Sequence, residues 1–261
     1  MKIILTESQE RLLYKHMLNE YMQDGFNLKT LYNMNPFDED DGFYYPQRLS
    51  DYCVKYIGEP MNDGSSRQVF DINDNRVLKL AYNKAGIEQN KVEYNIWTDS
   101  KSPLLPSILA HSREFAWIIT EQVIPCNKTD FEKILGIPYD YAYLRHQKED
   151  DKLERKQYKN YNNKKLPSNK EICYDGFLVF LSDFLDGVYI DYDDDDGVNQ
   201  YYLNLIKQDG WFKDLYLLIR KYHLEPLDID LRNLGIALRN GVPTIVILDS
   251  GLNDEVCAKY Y

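Results

Sequence analysis

The sequence predicts an α+β fold, in which antiparallel strands and helices occupy successive parts of the chain. Three observations support this class. From residue 52 the pattern becomes rich in short apolar stretches bounded by turn residues, which is typical of strands. Residues 82–99 then place apolar side chains at helical spacing. Near the C-terminus, Asn240-Gly241 separates two short apolar runs, as in a β-hairpin.

The length and the charge of the chain limit the classes of function. A chain of 261 residues can hold one large domain or two small lobes. Its net charge of −11 argues against a general nucleic-acid binder and against binding to an anionic membrane surface. A nucleotide site stays compatible with this charge, because it needs only a local positive pocket and a metal ion.

The cysteines and the apolar runs favour a cytoplasmic location. The four cysteines have no C-x-x-C spacing and histidines are too sparse for a zinc site, so we expect free thiols in a reducing compartment. The apolar start of the sequence is too short for a signal peptide. No run of about eighteen apolar residues occurs, so we expect no membrane span.

Residues 1–50 are predicted to be a helical extension that packs on the main fold. Thr6 to Asp24 has the pattern of a helix, because Thr6-x-x-Gln9 fits a capping box and apolar residues follow at helical spacing. Residues 33–48 contain two prolines and the acidic run 38–41, which is typical of a loop or linker.

Residues 51–124 are predicted to form a lobe of strands with one helix. The predicted elements are strands at 53–57, 68–72 and 76–81, a helix at 82–99, and strands at 107–111 and 115–123. The first three strands read as an antiparallel meander. A glycine-bearing loop, Asn62 to Arg67, joins the first strand to the second.

Residues 125–261 form the second predicted lobe. Its predicted elements are a short helix at 129–135, a core segment at 177–181, a helix at 211–223, and hairpin strands at 234–238 and 244–248. Residues 146–170 are strongly polar and cannot bury a core, which predicts an insert. The acidic run 191–197 does not fit the spacing of an EF-hand, so we interpret it as a solvated loop.

Three side chains that carry oxygen atoms flank the predicted hairpin. Asp228 and Asn233 precede its first strand, and Asp249 follows its second strand. Because a short hairpin returns the chain to its starting point, we expect these side chains to converge. Such oxygen atoms suit Mg²⁺, and a free carboxylate can accept a proton. A surface hairpin whose acids merely cap turns is the alternative interpretation.

This arrangement resembles the protein-kinase-like superfamily, in which a catalytic Asp lies five residues before an Asn and a D-F-G Asp follows a short hairpin. Here the matching residues are Asp228, Asn233 and Asp249-Ser250-Gly251. The resemblance covers roughly residues 52–252 and implies a two-lobed fold that binds ATP and Mg²⁺. It further implies that Asp228 handles the proton of an attacking hydroxyl, while Asn233 and Asp249 bind the metal ion.

Lys79 resembles the strand lysine that contacts the α- and β-phosphates of ATP. A lysine within an apolar strand needs an anion, because burial of a lone ammonium group is costly; a lysine on a solvated strand face is the alternative. In the resemblance its partner is a helix glutamate, and both Glu88 and Glu93 qualify. The two side chains lie about 140° apart around a helix, so they cannot share one helix face well. We prefer Glu93 as the partner of Lys79 in the catalytic site.

Two shorter patterns resemble those of small kinase-like proteins of bacteriophages. They are Gly64-Ser-Ser-Arg-x-Val69 in the loop and Gln89-Asn90-x-x-Glu93 in the helix. Only Gly64 remains of the three glycines of a kinase glycine loop, and Arg67 stands where another would be. Arg67 either adds a cation for phosphate or is solvated.

The resemblance also implies a set of nucleotide contacts. The backbone amides of the glycine-bearing loop would approach the phosphates, and Thr120 would lie beside the adenine. The backbone of Glu121 and of Val123 would bond the base. The cofactor-binding residues that we predict are therefore Gly64, Ser65, Ser66, Lys79, Glu121 and Val123.

The sequence departs from the superfamily in three places. Pro226-Leu227-Asp228 replaces the H-R-D motif, so no arginine precedes the Asp. Ser250 replaces the Phe of D-F-G, as it does in aminoglycoside-kinase and lipid-kinase relatives. Only ten residues follow Gly251, without an activation segment, so the resemblance implies a reduced C-terminal lobe.

Two functions from different classes follow. The first is an ATP- and Mg²⁺-dependent phosphotransferase, whose acceptor is a protein or a small molecule; the same residues also permit nucleotidyl transfer. The second is a kinase-like scaffold with weak or no activity, encoded by a virus and acting on a host partner in the host cytoplasm. Retention of the lysine and of the three oxygen-bearing residues favours the first function, whereas the lost glycines favour the second.

Overall fold

The computed structural model describes residues 22–23, 26–37, 44, 46–73, 75–139, 172–187 and 198–260. The described chain is a mixed α+β structure with antiparallel sheets, which agrees with the predicted class. Most of the helix predicted at 6–24, and all of the runs 38–41, 146–170 and 191–197, lie outside these residues. Within the described ranges, no helix combines the length and the apolar character that a membrane span requires.

The chain divides into two compact units. The first contains the described parts of Met1–Lys101, Pro106–Val123 and Glu255–Tyr261, and the second contains those of Ser102–Leu105 and Ile124–Asp254. The sequence set the main boundary one residue later, after 124. It also placed the residues after 254 in the second lobe, whereas they group with the first unit.

The first unit contains ten helices and strands in the described ranges of its first 123 residues. They are β1 (Met22–Gln23), β2 (Phe26–Asn27), α1 (Leu28–Asn33), α2 (Gln47–Tyr56), β3 (Asn62–Asp63), β4 (Arg67–Asp71), β5 (Arg76–Ala81), α3 (Lys84–Ser100), β6 (Ile108–His111) and β7 (Trp117–Glu121). Strands β3 to β7 form one antiparallel sheet in the order β3-β4-β5-β7-β6. The predicted order of three strands, a helix and two strands is present, but its first strand is Asn62–Asp63, which was predicted to belong to the glycine-bearing loop, and not 53–57.

Strand β5 lies at the centre of this sheet and carries Lys79. The residue pairs with Val69 of β4 on one side and with Ile118 of β7 on the other. Its neighbours Leu78 and Leu80 are buried in a core that also contains residues of β2, α1 and α2. The apolar neighbours explain why this strand is central and not at an edge.

Two sequence predictions in this unit are wrong. Residues 53–57 were expected to be a strand, but Gln47–Tyr56 is a helix in which Leu49 and Cys53, four residues apart, are both buried. A five-residue alternation is too short to exclude the helical period that these two positions share. The end of the helix predicted at 6–24 is also different, because Met22–Gln23 pairs with Phe26–Asn27 as two short strands.

The second unit has helices around a three-stranded sheet. Its elements are β8 (Ile124–Pro125), α4 (Lys128–Leu135), α5 (Tyr174–Leu185), α6 (Val198–Lys207), α7 (Trp211–Tyr222), β9 (Leu234–Arg239) and β10 (Val242–Ile247). The last helix of the described chain, α8 (Asp254–Tyr260), belongs to the first unit from Glu255 onward. Aromatic rings of α4, α5 and α7 contact one another, among them the buried Phe131 and Tyr174 and the partly exposed Trp211. Helices α6 and α8 were not predicted.

The hairpin of β9 and β10 agrees with its sequence signal. Arg239 pairs with Val242, which leaves Asn240 and Gly241 as a two-residue turn. Both turn residues have positive φ, 53° and 80°, which is the conformation that asparagine and glycine favour. The turn fixes the register, so the residues just outside the hairpin are placed opposite each other.

Candidate functional site

The hairpin brings the predicted oxygen-bearing residues together at its open end. Leu234 pairs with Ile247, and the next N–H along β10, that of Leu248, donates to the Asn233 carbonyl at 2.8 Å. Asp249 is therefore the residue after Leu248, whose N–H is bonded to Asn233. The side-chain Nδ2 of Asn233 in turn donates to the Asp228 carbonyl at 2.7 Å.

Asp228 and Asn233 end two successive 3₁₀ turns, Pro226–Asp228 and Leu231–Asn233, which together form the acidic loop, residues 226–233. The Glu225 side chain caps the first turn by accepting from the Leu227 N–H at 3.1 Å. Capping satisfies backbone N–H groups that such short turns leave without an intrahelical partner.

Two tyrosines from other parts of the second unit form hydrogen bonds with the acidic loop. The Leu231 N–H donates to the Tyr139 hydroxyl at 2.8 Å, and the Tyr174 hydroxyl donates to the Ile229 carbonyl at 3.0 Å. Burial raises the pKa of Tyr174 well above its ordinary value, so its hydroxyl keeps the proton that it donates. No local sequence pattern marks these tyrosines, because they lie far along the chain from the loop that they bond.

The Asp228 carboxylate is half-buried and has an unusual pKa. Burial raises this pKa to about 6, the negative charges of Asp249 and Asp230 raise it too, and Arg232 opposes the rise. No residue of the described chain donates a hydrogen bond to the carboxylate. At neutral pH such a group is mostly ionised and is a stronger base than an ordinary aspartate, which suits acceptance of a proton.

Asp230 lies two residues further on and has a structural position. Its carboxylate accepts from the Arg232 Nε at 2.8 Å and from Nη2 at 2.5 Å, and it caps the second turn by accepting from the Arg232 N–H at 2.9 Å. These contacts tie Asp230 to its own loop, whereas the Asp228 carboxylate has none of them. The two carboxylates of this loop therefore differ in their environment: Asp230 is bonded within the loop, and Asp228 is not.

Asn233 and Asp249 are the residues of this site whose oxygen atoms could hold a metal ion. Because Nδ2 of Asn233 is bonded to a carbonyl, its Oδ1 is the atom that remains for a cation. One carboxylate oxygen of Asp249 accepts from the Gly251 N–H at 3.1 Å. The described residues contain no group of three or more His, Cys, Asp or Glu placed to hold a metal ion. Two oxygen donors fit Mg²⁺, which keeps waters and substrate phosphates as its other ligands.

The first unit contains the predicted ion pair of Lys79. Its Nζ lies 2.5 Å from Oε1 of Glu93 on α3, and both side chains are buried. The alternative of a lysine on a solvated strand face is therefore wrong. Glu88, the other candidate, lies on a more exposed part of the helix, 3.9 Å from the Nζ of Lys259.

Arg67 also belongs to this ion cluster. Its side chain is only 6% exposed, and Nη1 lies 2.7 Å from Oε2 of Glu93 and 3.2 Å from Oδ1 of Asn90. The alternative of a solvated arginine is therefore wrong. We call Arg67, Lys79 and Glu93 the buried ion cluster, in which two cations share one carboxylate.

The loop that contains Gly64, Ser65 and Ser66, called the serine loop below, leads directly into Arg67. It turns tightly, because the Gly64 N–H donates to the Arg67 carbonyl at 3.0 Å. The N–H groups of Ser65 and Ser66 donate to no residue in the described ranges. Two of the three predicted loop amides are thus available to a ligand, and that of Gly64 is already used.

The residues predicted to contact adenine lie at the end of β7. Thr120 is fully buried in the sheet, and the Glu121 N–H donates to the Ser107 carbonyl at 2.9 Å. The N–H and the carbonyl of Val123 bond no described residue. The Val123 backbone is therefore available for a base, whereas the amide of Glu121 is not.

Two comparisons with known proteins found no match. No protein-family model matches the chain, and no curated protein is significantly similar to it.

Proposed function

We propose that the protein is a phosphotransferase that uses ATP and Mg²⁺, with a two-lobed kinase-like fold. The observation that carries the proposal is the acidic loop with its hairpin. It combines a carboxylate of raised pKa, Asp228, with the oxygen donors Asn233 and Asp249, which the hairpin and one side-chain bond bring together. Phosphoryl transfer needs a group for the acceptor proton and a hard metal ion, and these residues offer both.

In the proposed reaction a hydroxyl oxygen of the acceptor attacks the γ-phosphorus of ATP. The new O–P bond forms as the bond to the β-phosphate oxygen breaks, ADP leaves, and the hydroxyl proton passes to the Asp228 carboxylate. Lys79, held by Glu93, would contact the α- and β-phosphates, and the free amides of the serine loop would contact phosphate oxygens. Bound Mg²⁺ would offset the negative charge of the phosphates.

The acceptor is proposed to be a hydroxyl of a protein or of a small molecule in the cytoplasm. A binding scaffold without transfer activity is the second candidate function. It is favoured by the serine loop, in which Gly64 uses its amide within the loop and Arg67 replaces a glycine.

The test is incubation of the wild-type protein with Mg²⁺ and ATP labelled at either the γ- or the α-phosphate, alone and with cell lysate. We expect label from γ-labelled ATP on the protein or on a lysate component, and none when a chelator removes Mg²⁺. Label from α-labelled ATP would support nucleotidyl transfer in its place. Absence of label from both, with a partner bound, would support the scaffold.

Replacement of Asp249 by alanine is expected to lower the affinity for Mg·ATP at least about tenfold, because one of two protein ligands of the metal ion is lost. The remaining affinity should no longer depend on Mg²⁺. Calorimetric titration of ATP with and without Mg²⁺ measures both effects.

Asp254→Ala is the matched control for this variant. Asp254 is exposed, lies five residues further on, and contacts His223 at 3.7 Å. Its replacement should leave the affinity for Mg·ATP unchanged. If Asp249→Ala binds Mg·ATP as tightly as Asp254→Ala does, Asp249 is not a metal ligand.

A further inference from the structure

The serine loop and helix α3 contact each other through the two short sequence patterns. The Ser66 hydroxyl donates to Oε1 of Gln89 at 2.6 Å. The next residue, Arg67, bonds Asn90 at 3.2 Å and Glu93 at 2.7 Å. The last residue of the loop and the first residue of β4 thus meet residues on one face of the helix, and we call these five residues the loop–helix clamp.

The backbone of the loop also lies unusually close to the first turn of α3. The Tyr82 N–H donates to the Ser66 carbonyl at 2.7 Å, and Nδ2 of Asn83 donates to the Ser65 carbonyl at 3.0 Å. At Gly86 a Cβ atom would lie 2.2 Å from the Ser66 carbonyl oxygen, a distance that real Cβ atoms do not adopt. Glycine at this position therefore permits the contact between the loop and the helix.

The polar groups of the clamp are buried. Gln89 is 2% exposed, Asn90 is not exposed, and Ser66 is 7% exposed. Asn90 is oriented from its other side, because its Nδ2 donates to the Phe115 carbonyl at 2.9 Å and thus turns Oδ1 towards Arg67. Buried polar groups that bond one another favour a single arrangement, because every alternative leaves some of them without partners.

We propose that Gln89 and Arg67 are positioning residues that hold the serine loop in one conformation before the nucleotide binds. This inference rests on the proposed function, in which the Ser65 and Ser66 amides contact phosphate. Arg67 joins the end of the loop to Glu93, the residue that also holds Lys79. The conformation of the loop and the position of the lysine are thereby set through one carboxylate.

A loop that is ordered in advance changes the binding of nucleotide more than the chemical step. Without the clamp, the loop must lose conformational freedom when phosphate binds, and this cost lowers affinity. Loss of Gln89 should therefore raise the KM for ATP and leave kcat within about twofold, since the interaction acts equally in the bound and the transition state. A loss of packing alone would lower the amount of folded protein and not produce this split.

The experiment uses Gln89→Met, which keeps the side-chain volume and removes the acceptor for Ser66. Asn95→Met is the matched control, because Asn95 is an exposed amide on the same helix. For each protein we measure amide hydrogen exchange at Gly64 and Tyr82, whose N–H groups donate to carbonyls of Arg67 and Ser66. We also measure the affinity for Mg·ATP by calorimetry and the steady-state kinetics.

In Gln89→Met we expect faster hydrogen exchange at both amides. We also expect an affinity for Mg·ATP about tenfold lower, because roughly one more residue must lose its conformational freedom when the nucleotide binds. Asn95→Met should match wild type in both measurements. Unchanged exchange in Gln89→Met overturns the clamp, and faster exchange with unchanged affinity and KM overturns the positioning role. If wild type does not bind Mg·ATP, the proposed function and with it the role in phosphate binding are wrong, while the exchange data still decide whether the clamp exists.

A double variant gives a second route if a single one folds poorly. Ser66→Ala with Gln89→Met removes both partners of the buried bond, so no polar group is left without its partner. We expect the double variant to be no less stable to heat than Gln89→Met, while its loop amides still exchange faster than in wild type. Additive losses of stability would overturn the direct coupling of the two residues.

Discussion

Replacement of Glu93 by glutamine is expected to lower the free energy of unfolding by about 3–5 kcal/mol, the usual cost of removing one member of a buried ion pair. Lys79 and Arg67 both lie within 2.7 Å of the Glu93 carboxylate in a region that is nearly closed to solvent. Glutamine has the same shape but carries no charge, so both cations lose the carboxylate that they share. Urea unfolding at pH 7 measures the change as a lower midpoint with an unchanged slope.

Glu88→Gln is the control for this prediction. Glu88 is on the same helix, is partly exposed, and approaches Lys259 only to 3.9 Å. A pair of this kind contributes little, so the change in the free energy of unfolding should stay within about 0.5 kcal/mol. Equal losses in the two variants would mean that Glu93 has no special electrostatic role, and the buried ion cluster would lose its importance.

The sequence could predict the elements that depend on local signals. Asn240-Gly241 determines a turn of two residues and thus the register of the whole hairpin, so the meeting of Asn233 with the residue before Asp249 follows from the sequence. Lys79 lies in a run of apolar residues before a long helix, which favoured its burial, whereas the choice of Glu93 as its partner depended on the resemblance.

Features that depend on contacts between distant residues could not be predicted. Arg67 and Asn90 are 23 residues apart, and the sequence does not show that the arginine is buried. Tyr174 bonds the acidic loop across 55 residues, and only the packing of helix α5 determines that contact. Helix α2 was misread for a different reason, because a short apolar alternation fits a strand and a helix equally well.

The pKa of Asp228 belongs to the same class of features. The place of Asp228 in the acidic loop was predicted from its spacing to Asn233, but the environment of its carboxylate was not. Burial raises the pKa, and only the folded chain brings the charge of Asp249 close enough to raise it further. Raised pKa values of this kind are frequent at functional sites.

Asp228→Asn is expected to lower phosphoryl transfer by about 10²- to 10⁴-fold, the usual contribution of a group that accepts a proton. The amide has nearly the same shape as the carboxylate and cannot accept the proton of the acceptor hydroxyl. The affinity for Mg·ATP should change little, because the proposed metal ligands are Asn233 and Asp249. Single-turnover transfer and calorimetry separate the two effects.

The same substitution is expected to stabilise the protein at neutral pH. The pKa of Asp228 is raised from 3.8 to about 6 in the folded chain. Between pH 3.8 and pH 6, therefore, the carboxyl group is largely protonated in the folded state and largely ionised in the unfolded state. The contribution of Asp228 to the free energy of unfolding therefore falls as the pH rises from 4 to 6. Above pH 6 the ionised carboxylate destabilises the folded state to its full extent. Because the carboxylate is only half-buried, we expect a gain of about 1 kcal/mol in Asp228→Asn at pH 7.5 and none below pH 4.

Asp230→Asn separates the chemical role of Asp228 from the general effect of losing an acid in this loop. Asp230 is bonded to Arg232, so its replacement removes an ion pair and should not stabilise the protein at pH 7.5. Its transfer activity should stay close to that of wild type, because the amide still caps the turn with its oxygen. Loss of activity in Asp230→Asn, with activity kept in Asp228→Asn, would shift the chemical residue by two positions and remove the role of Asn233 with it. Equal stability of wild type and Asp228→Asn from pH 4 to pH 7.5 would instead show that the carboxylate has an ordinary pKa, and the argument for it as the base would then depend on its position alone.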